Sequence, residues 1–485
     1  MNIKLRFTTA VMVTALGLLG LRVPAADAQT PPATSSQEKL EEVVITGSRI
    51  SRQNSETASP VQIITSADLE KSGQQNLSNI LRSISAEGQG TLPTSFTAGF
   101  ASGASSVSLR GLGVNATLVL VNGRRMAPYG LADDGTRIFT DLNSLPLEAV
   151  DRVEVLKDGA SALYGSDAIA GVVNVLLKNT VEGGNLTADL GTSYATDGST
   201  RRIAGSYGFG NLTADKYNVY FTLEASSDDA INNDQRGGWL GTENLTPYGY
   251  FDDRAGSAAG GRGFFDVGLP NFQSRTPYGT VRVPGDNLFT RVNLTSCPVL
   301  SQLDGHNAAG DPTKSNICLF DQTSYNEIQP RTDRYNLFSK GTYSFSDTLQ
   351  GYLELGFFDS KTAYVGTATS FDDGGPKYCN TAAGFVCAPF TTFLPSGQLD
   401  NPFPVNRNVR YRAIDFGGRN GTNDSKVTRA VLGMKGEIFG NWKWEIGGGY
   451  VESKLATTRT GFVLGDVLQA KINDGELSYQ PPGIG

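Results

Sequence analysis

The sequence predicts a β protein in two parts, an α+β domain followed by antiparallel strands of a transmembrane β-barrel. Three observations support this fold class. The 485 residues include 58 Gly, 24 Phe and 18 Tyr, a composition typical of β proteins. Apolar and polar side chains alternate strictly in long runs after Val181. The connections between these runs are short at one end and long at the other, as in outer-membrane barrels.

The first 28 residues have the three parts of a secretory signal peptide. An apolar run over residues 7–21 follows Lys4 and Arg6, and an Ala-x-Ala cleavage site precedes Gln29. A short membrane anchor is the alternative, but the run is shorter than the roughly 20 residues that span a bilayer as a helix. We therefore predict export, with the mature chain beginning at Gln29.

The four cysteines form two local pairs in polar stretches, Cys297 with Cys318 and Cys379 with Cys387. Because an exported chain can oxidise its thiols, we predict two disulfides that staple loops. A zinc site is the alternative, but no C-x-x-C occurs and the single histidine, His306, lies within only one pair. The net charge of −7, without a basic cluster, indicates no nucleic-acid partner.

Three segments follow the predicted signal peptide. Residues 29–54 contain prolines and polar residues without apolar periodicity, which predicts a flexible arm. Residues 55–180 mix short strand and helix patterns, which predicts a compact α+β domain. Residues 181–485 hold the alternating strands, in which Leu186 and Leu190 face one side and Asp189 the other. We expect roughly eight such strands in this segment.

The strand lengths favour a barrel over a soluble sandwich, whose strands run about five or six residues. Short turns are predicted in SFSDTLQ (344–350) and IFGNWKW (438–444), while about 105 and 65 residues separate other strands. Aromatic residues at the strand ends suit girdles at the two membrane interfaces. These residues are Tyr194, Tyr217, Phe345, Trp442 and Trp444.

Three stretches carry a family resemblance. They are EEVVITGSRI (41–50), SVSLRGLGVNATLVLVNGRRM (106–126) and LPLEAVDRVEVLKDGASALYGSDAIAGVVNVLLK (145–178). The sequence resembles the TonB-dependent outer-membrane receptors, in which an N-terminal plug domain fills a 22-stranded barrel. The resemblance implies that residues 55–180 are the plug domain and that a periplasmic energy transducer, TonB, is a partner. It also implies a Gram-negative outer membrane, its lipid and the barrel assembly machinery as surroundings.

The resemblance assigns the opening strand-like run as the TonB box, which pairs with the transducer as an added strand. Its residues are Glu42, Val43, Val44, Ile45, Thr46 and Gly47. A β-branched run on a flexible arm suits this role, because main-chain hydrogen bonds tolerate many side chains. The alternative is that this run is the first strand of the plug domain.

The resemblance also implies roles for single plug residues. Arg110 and Arg152 are expected to form ion pairs with glutamates of the inner barrel wall, and ordinary solvated charges are the alternative. Two plug loops, 91–105 and 127–137, are expected to face the outside and contact solute. The residues predicted to do so are Phe96, Phe100, Tyr129 and Asp133, with loop packing as the alternative.

No catalytic pattern is present, so the chain is predicted not to be an enzyme and to need no cofactor. The single His, with no H-E-x-x-H and no Walker lysine, leaves hydrolase and nucleotide sites without their parts. The Gly-Leu-Gly at 111–113 is followed by a strand rather than a helix, so it does not form a phosphate site.

The expected function is energy-coupled uptake of a scarce, large solute such as an iron–siderophore, a cobalamin or a carbohydrate. With roughly eight of 22 strands recognisable, we expect the chain to be the N-terminal part of a longer receptor. The alternatives are a passive outer-membrane porin and a β protein that binds ligand without transport.

Overall fold

Two sheets dominate the computed structural model: a five-stranded sheet with small helices, and a seven-stranded sheet of long strands. Four small sheets lie in the described parts of the loops. The structure describes residues 61–97, 100–241, 280–282, 289–291, 301–303, 318–320, 322–371, 377–380, 386–389, 393–398, 401, 403–439 and 442–476.

The five-stranded sheet forms the centre of the plug domain. Its strands are β1 (Val61–Thr65), β2 (Thr117–Val121), β3 (Arg124–Arg125), β4 (Val150–Leu156) and β5 (Gly171–Leu177). The order across the sheet is β1-β4-β5-β2-β3. Only β2 and β5 are parallel; the other neighbouring strands are antiparallel.

Four α-helices and eight 3₁₀ turns lie in the described ranges. The α-helices are α1 (Ser66–Lys71), α2 (Leu77–Arg82), α3 (Ser161–Tyr164) and α4 (Gly465–Asn473). The 3₁₀ turns are Val114–Ala116, Leu142–Ser144, Leu147–Ala149, Ser166–Ala168, Asn233–Gln235, Gly238–Leu240, Thr323–Tyr325 and Ile414–Phe416. Helix α1 begins with a capping box, in which the Thr65 hydroxyl accepts from the Asp68 N–H and the Asp68 carboxylate accepts from the Thr65 N–H.

The plug core sits on β4 and β5. Val153, Val155, Val173 and Val175 are fully buried, which explains why these two strands are almost continuously apolar. Leu69, Leu77 and Leu81 of α1 and α2 belong to the same buried cluster. The helices therefore cover the sheet with their apolar residues.

Eighteen further strands lie in the described residues. They are β6 (Gly183–Gly191), β7 (Thr200–Phe209), β8 (Tyr217–Asp228), β9 (Ile231–Asn232), β10 (Thr280–Arg282), β11 (Phe289–Arg291), β12 (Ser301–Leu303), β13 (Cys318–Phe320), β14 (Glu327–Gln329), β15 (Arg331–Ser346), β16 (Leu349–Tyr364), β17 (Ser370–Phe371), β18 (Lys377–Asn380), β19 (Val386–Pro389), β20 (Phe393–Leu394), β21 (Arg407–Arg412), β22 (Gly421–Ile438) and β23 (Trp442–Arg459). The seven longest form one antiparallel sheet, the wall, in the order β6-β7-β8-β15-β16-β22-β23. The sequence predicts roughly eight long strands, and the described ranges hold seven.

The two faces of the wall differ in polarity. Leu186 and Leu190 on β6 are 75% and 84% exposed, and large apolar side chains continue this outer face across the other strands. The inner face carries buried polar residues such as Thr222, Asn336 and Asn423. This is the pattern of a membrane barrel, apolar outside and polar inside, so the predicted alternation is confirmed.

The two ends of the wall differ in the length of their connections. One end, the turn end, has the short connections 210–216, 347–348 and 439–441. The other end, the loop end, has the connections 192–199, 229–330 and 365–420. Strands β6 and β23 are the edges of the sheet, which does not close on itself within the described residues.

No helix in the described part of the chain is both long enough and apolar enough to cross a membrane.

Candidate functional site: the contact between plug and wall

The inner face of the wall holds the plug domain. Tyr220 and Phe338 of the wall belong to the same buried apolar cluster as the plug core. The Tyr220 hydroxyl donates to the carbonyl oxygen of Lys178 at 2.7 Å, and the Asn336 amide donates to the carbonyl oxygen of Ser144 at 3.3 Å. Plug and wall therefore share one core.

Glu354 of β16 is a buried carboxylate at this contact, with its side chain 1% exposed. One oxygen lies 2.7 Å from Arg429 Nη1, and the other lies 3.4 Å from Lys340 Nζ. That second oxygen also accepts a hydrogen bond of 2.8 Å from the side-chain amide of Asn122, a plug residue. A buried charge is tolerated only when it is paired, so two wall cations neutralise Glu354, and the plug adds one hydrogen bond from Asn122.

The plug reaches Glu354 through the tight turn between β2 and β3. Asn122 and Gly123 both have positive φ, 49° and 74°, as a two-residue hairpin turn requires. The Asn122 side-chain oxygen accepts from the Leu177 N–H at 2.9 Å, which fixes the amide so that it points at Glu354. The Asn-Gly pair therefore both makes the turn and anchors it.

Arg124, directly after this turn, pairs with the wall on β23. Its Nη2 lies 2.6 Å from Glu445 and also donates to the Tyr352 hydroxyl. The Tyr352 hydroxyl donates to the same Glu445 carboxylate at 2.6 Å, and the guanidinium lies 5.6 Å from the centre of the Tyr352 ring. Arg124, Tyr352 and Glu445 thus form a closed triangle across the contact.

The plug backbone approaches the wall closely at this side. A Cβ added at Gly103 would overlap the Oγ1 of Thr362 on β16. A Cβ at Gly130 would lie 2.8 Å from the Cβ of Leu455 on β23. Only glycine allows such an approach. We call the contact with β16, β22 and β23 the closed side.

The opposite contact, with β6, β7 and β8, is organised around Arg202 of β7. Its side chain is 5% exposed and lies 2.9 Å from Asp189 on β6 and 3.0 Å from Glu224 on β8. The third partner, Glu148, lies 3.2 Å away and belongs to the plug. Three carboxylates thus surround one guanidinium, and only one of them comes from the plug.

A cleft of about 540 Å³ lies next to Arg202, between the plug and strands β6 and β7. Its lining is polar, with Glu70 and Lys178 from the plug and Asn185 and Thr187 from β6. Arg202 also lines a second cavity of only about 30 Å³ together with residues of β8 and β15. We call this contact the cleft side.

A family model described as the TonB-dependent Receptor Plug Domain matches residues 53–172. Residues 53–172 are therefore similar to the plug domain of TonB-dependent receptors. Its strands β1, β2, β3 and β4 lie within the matched residues, and β5 begins at their end.

Curated relatives match about a third of the chain. The vitamin B12 transporter BtuB of Vibrio cholerae is 32% identical over 160 residues, which is 31% of this chain and 23% of BtuB. The same match recurs for BtuB of other strains of that organism. The chain therefore spans about a quarter of the length of these relatives. They are transporters and not enzymes.

Solved receptor structures match a larger share of the chain. A mutant of the ferric enterobactin receptor PfeA from Pseudomonas aeruginosa is 16% identical, with a TM-score of 0.39, over 82% of this chain and 49% of PfeA. BauA, the ferric preacinetobactin receptor from Acinetobacter baumannii, is 12% identical, with a TM-score of 0.37, over 84% of this chain and 49% of BauA.

Two of the four plug-loop residues predicted to contact solute are buried. Tyr129 is 6% exposed and stacks on Phe139 with 5.3 Å between ring centroids. Asp133 is fully buried, and its Oδ1 accepts from the N–H groups of Phe100 and Ala101 at 2.7 and 3.0 Å. The prediction is corrected for Tyr129 and Asp133, because side chains so buried hold the loops together instead of facing solvent.

The other two, Phe96 and Phe100, are half-buried, and each lies beside an arginine. The Arg137 guanidinium lies 5.7 Å from the ring centroid of Phe96, and that of Arg459, at the end of β23, lies 4.9 Å from that of Phe100. Such cation–π pairs stabilise exposed aromatic rings by about 0.5–1 kcal/mol. Contact of Phe96 and Phe100 with solute stays a prediction.

Asp141 is a buried plug carboxylate that the sequence did not single out. Its Oδ1 accepts from the N–H groups of Ser105 and Asn143, each at 3.0 Å. Burial raises the pKa of Asp141 to about 6, although these two hydrogen bonds act in the opposite direction. Asp141 therefore fastens the end of loop 91–105 to the 3₁₀ turn Leu142–Ser144 through a carboxylate whose pKa is raised by burial.

Arg110 and Arg152 have plug partners in the described structure. Arg152 lies 2.8 Å from Asp151 and 3.1 Å from Glu154, both on its own strand β4. Arg110 is exposed and donates to the carbonyl oxygen of Ile169 at 3.1 Å. The described plug-to-wall ion pairs involve Arg124 and Arg202, and pairing of Arg110 and Arg152 with wall glutamates stays a prediction.

The remaining predicted sites lie wholly or partly outside the described residues. The signal peptide, the TonB box at 42–47 and Cys297 lie outside them. Of the second cysteine pair, the structure describes the backbone, whose register sets Cys379 opposite Cys387 in the β18–β19 hairpin. Both disulfides stay predictions. In the described part of the chain, no three or more His, Cys, Asp or Glu side chains are arranged so that they could hold a metal ion.

Proposed function

We propose that this chain serves in energy-coupled uptake of a scarce, large solute across an outer membrane. The observation that carries the proposal is the plug held against the polar inner face of a wall whose outer face is apolar. A plug in the lumen is of no use to a passive porin, because it blocks diffusion. A ligand-binding protein in water does not need an apolar outer face.

The outer face supports a location in membrane lipid. Apolar side chains are exposed on all seven strands of the wall. Contact of this surface with lipid is favourable, whereas its contact with water is unfavourable. Reaching that location requires export by the predicted signal peptide and insertion by the barrel assembly machinery. The outer membrane of a Gram-negative bacterium is therefore the proposed site of action.

The proposed energy source is the TonB transducer acting through Glu42 to Gly47. A β-branched run on a proline-containing arm suits strand addition to a partner sheet. A pull on this run is transmitted to β1, which begins at Val61 and pairs with β4 in the centre of the plug. The plug would then shift against the wall at the contacts described above.

The proposed solute class follows from the relatives, among which are a vitamin B12 transporter and receptors for ferric enterobactin and ferric preacinetobactin. An iron–siderophore, a cobalamin or a carbohydrate of similar size is the proposed cargo. The exposed parts of the plug loops near Phe96 and Phe100 are the proposed first contacts.

Deleting residues 42–47 tests the proposal. We expect energised uptake of cyanocobalamin or ferric enterobactin to be abolished in cells that lack other receptors for these solutes, while binding to de-energised cells is unchanged. Deletion of residues 31–36, also six residues of the arm, is the matched control and should leave uptake intact. Loss of binding together with uptake would count against the assignment.

A further inference from the structure

The two cavities at the cleft side lie on opposite sides of Arg202 along the wall. The cleft of about 540 Å³ extends along β6 past Thr187 and Asn185 towards the turn end. The small cavity of about 30 Å³ extends towards Asp228, the last residue of β8 at the loop end. Arg202 lines both, so the ion cluster around it separates a roomy polar space from a nearly filled one.

The cleft has the size and polarity of a path for a hydrophilic solute. Sites for small molecules enclose about 300–1,000 Å³, and the cleft falls within this range. Carboxylates, an ammonium group, amides and hydroxyls line it. Water and a polar solute can exchange hydrogen bonds with such a lining at little cost.

The ion cluster at Arg202 is suited to reversible opening. When the plug withdraws Glu148, Arg202 keeps Asp189 and Glu224, both from wall strands. Arg202 therefore does not become an unpaired buried cation. The usual cost of breaking a buried ion pair, which comes from such an unpaired charge, does not arise. On the closed side, by contrast, withdrawal of Arg124 removes the cation from Glu445, and a Cβ at Gly103 or Gly130 would overlap side chains of the wall.

We propose that the solute passes the plug on the cleft side, and that Arg202 with Glu148 is the gate on this route. The inference rests on the proposed function and specifies where the plug opens. In the resting structure the gate is closed towards the loop end, and the cleft beyond it is already formed. Movement of the plug separates Glu148 from Arg202 and joins the two cavities.

Two single cysteines at matched depth test the route without a known solute. Thr187→Cys lies four residues from the loop end of β6, in the cleft, and Ser425→Cys lies four residues from the loop end of β22, on the inner face of the closed side. The probe is a sulfonated maleimide that does not cross the membrane, added to intact cells with the transducer active or inactive. The parent chain, treated alike, gives the background from its own cysteines.

We expect the active transducer to raise the labelling rate at Thr187→Cys on the order of tenfold and to leave Ser425→Cys unchanged, because the accessible population shifts only on the cleft side. Deletion of residues 42–47 should abolish the increase. Equal acceleration at both cysteines, acceleration at Ser425→Cys alone, or no acceleration at either would overturn the route. The uptake test above decides the proposed function separately, so uptake that persists alongside any of these results refutes only the route.

A second variant pair tests the gate itself in the Thr187→Cys background. Glu148→Gln removes the plug's charge from the Arg202 cluster, and we expect labelling with the transducer inactive to rise several-fold. Asp229→Asn removes a carboxylate that pairs with the exposed Arg201 outside the cluster, and should leave labelling unchanged. An unchanged rate in Glu148→Gln, or an equal rise in Asp229→Asn, would contradict the role of Glu148.

Discussion

The closed side and the cleft side attach the same plug to the same wall by different means. On the closed side, the plug is held by a hydrogen bond from Asn122 to the buried Glu354, by a triangle of Arg124, Tyr352 and Glu445, and by close backbone contacts at Gly103 and Gly130. On the cleft side, one plug carboxylate joins an ion cluster that is already satisfied within the wall, beside a large polar space. The difference indicates that a plug can be held firmly on one side and released on the other.

The largest expected effect comes from replacing the buried Glu354, and the partly buried Glu148 provides the comparison on the cleft side. Glu354→Gln leaves Lys340 and Arg429 facing each other without a carboxylate, which we expect to destabilise the folded protein by about 3–5 kcal/mol. Glu148→Gln leaves Arg202 with two carboxylates, and we expect a loss below about 1 kcal/mol. Urea unfolding of the purified protein in detergent measures both. Similar losses in the two variants would remove the energetic distinction between the sides.

Alanine at two glycines compares the space on the two sides. Gly103 and Gly73 have φ of 83° and 64°, so alanine strains both positions by about 1–2 kcal/mol. Only at Gly103 does the new Cβ meet the wall, at Thr362, and overpacking adds about 1–3 kcal/mol there. Nothing lies within 4 Å of a Cβ at Gly73, which lines the cleft.

We therefore expect Gly103→Ala to lower the thermal midpoint much more than Gly73→Ala. The double variant Gly103→Ala with Thr362→Gly, which removes the opposing side chain, should recover most of the difference if the contact is the cause. Equal midpoints for the two single variants would mean that the closed side has room to adjust.

A smaller, pH-dependent effect is expected at Asp141. Its folded-state pKa of about 6 lies above the unfolded value of about 3.9. Its contribution is therefore fully present below about pH 4 and is lost as the pH rises through 6. Between pH 7 and pH 5 we expect the wild type to gain about 1 kcal/mol relative to Asp141→Asn, which can still accept both N–H groups.

Parallel urea titrations of wild type and Asp141→Asn at pH 5 and 7 measure this difference. If the stability of the wild type changes between pH 5 and 7 by no more than that of Asp141→Asn, the Asp141 carboxyl does not titrate in this range.

The smallest expected effect is that of Arg124→Gln. The guanidinium is only partly buried and Glu445 keeps the Tyr352 hydroxyl, so a loss of about 0.5–1 kcal/mol is expected. Because Arg125, the next residue, pairs with Asp167 within the plug, Arg125→Gln is a matched control that leaves the wall contact intact. The rate of protease cleavage measures release of the plug in both variants. Greater release of the plug in Arg125→Gln than in Arg124→Gln would argue against the triangle as an anchor.

The wall could be predicted from the sequence because its signal is local. Period-two alternation marks Leu186 and Leu190 as outward-facing, and the structure exposes both. The short turns at 347–348 and 439–441 were likewise visible, because each contains turn-forming residues between two alternating runs. The resemblance of the plug to its family rests on motifs of the same local kind.

The site could not be predicted, because it joins residues that are distant in the chain. Nothing near Arg124 or Asn122 indicates Glu445 or Glu354 as a partner. A partial signal did exist: Arg202, Glu354 and Arg429 are charged residues in phase with the inner face of long strands, where a charge needs a partner. Tyr129 and Asp133 were misassigned because a polar loop sequence does not reveal which of its side chains turn inward.

The same long separations set the order of assembly. Asn122 and Glu354 are 232 residues apart, and Arg124 and Glu445 are 321 apart, so neither anchor exists until β16 and β23 have found their places. Closing loops of this length is slow compared with forming hairpins between neighbouring strands. Docking of the plug on the closed side is therefore a late step, and in a pulse-chase experiment the wall should resist protease before the plug does.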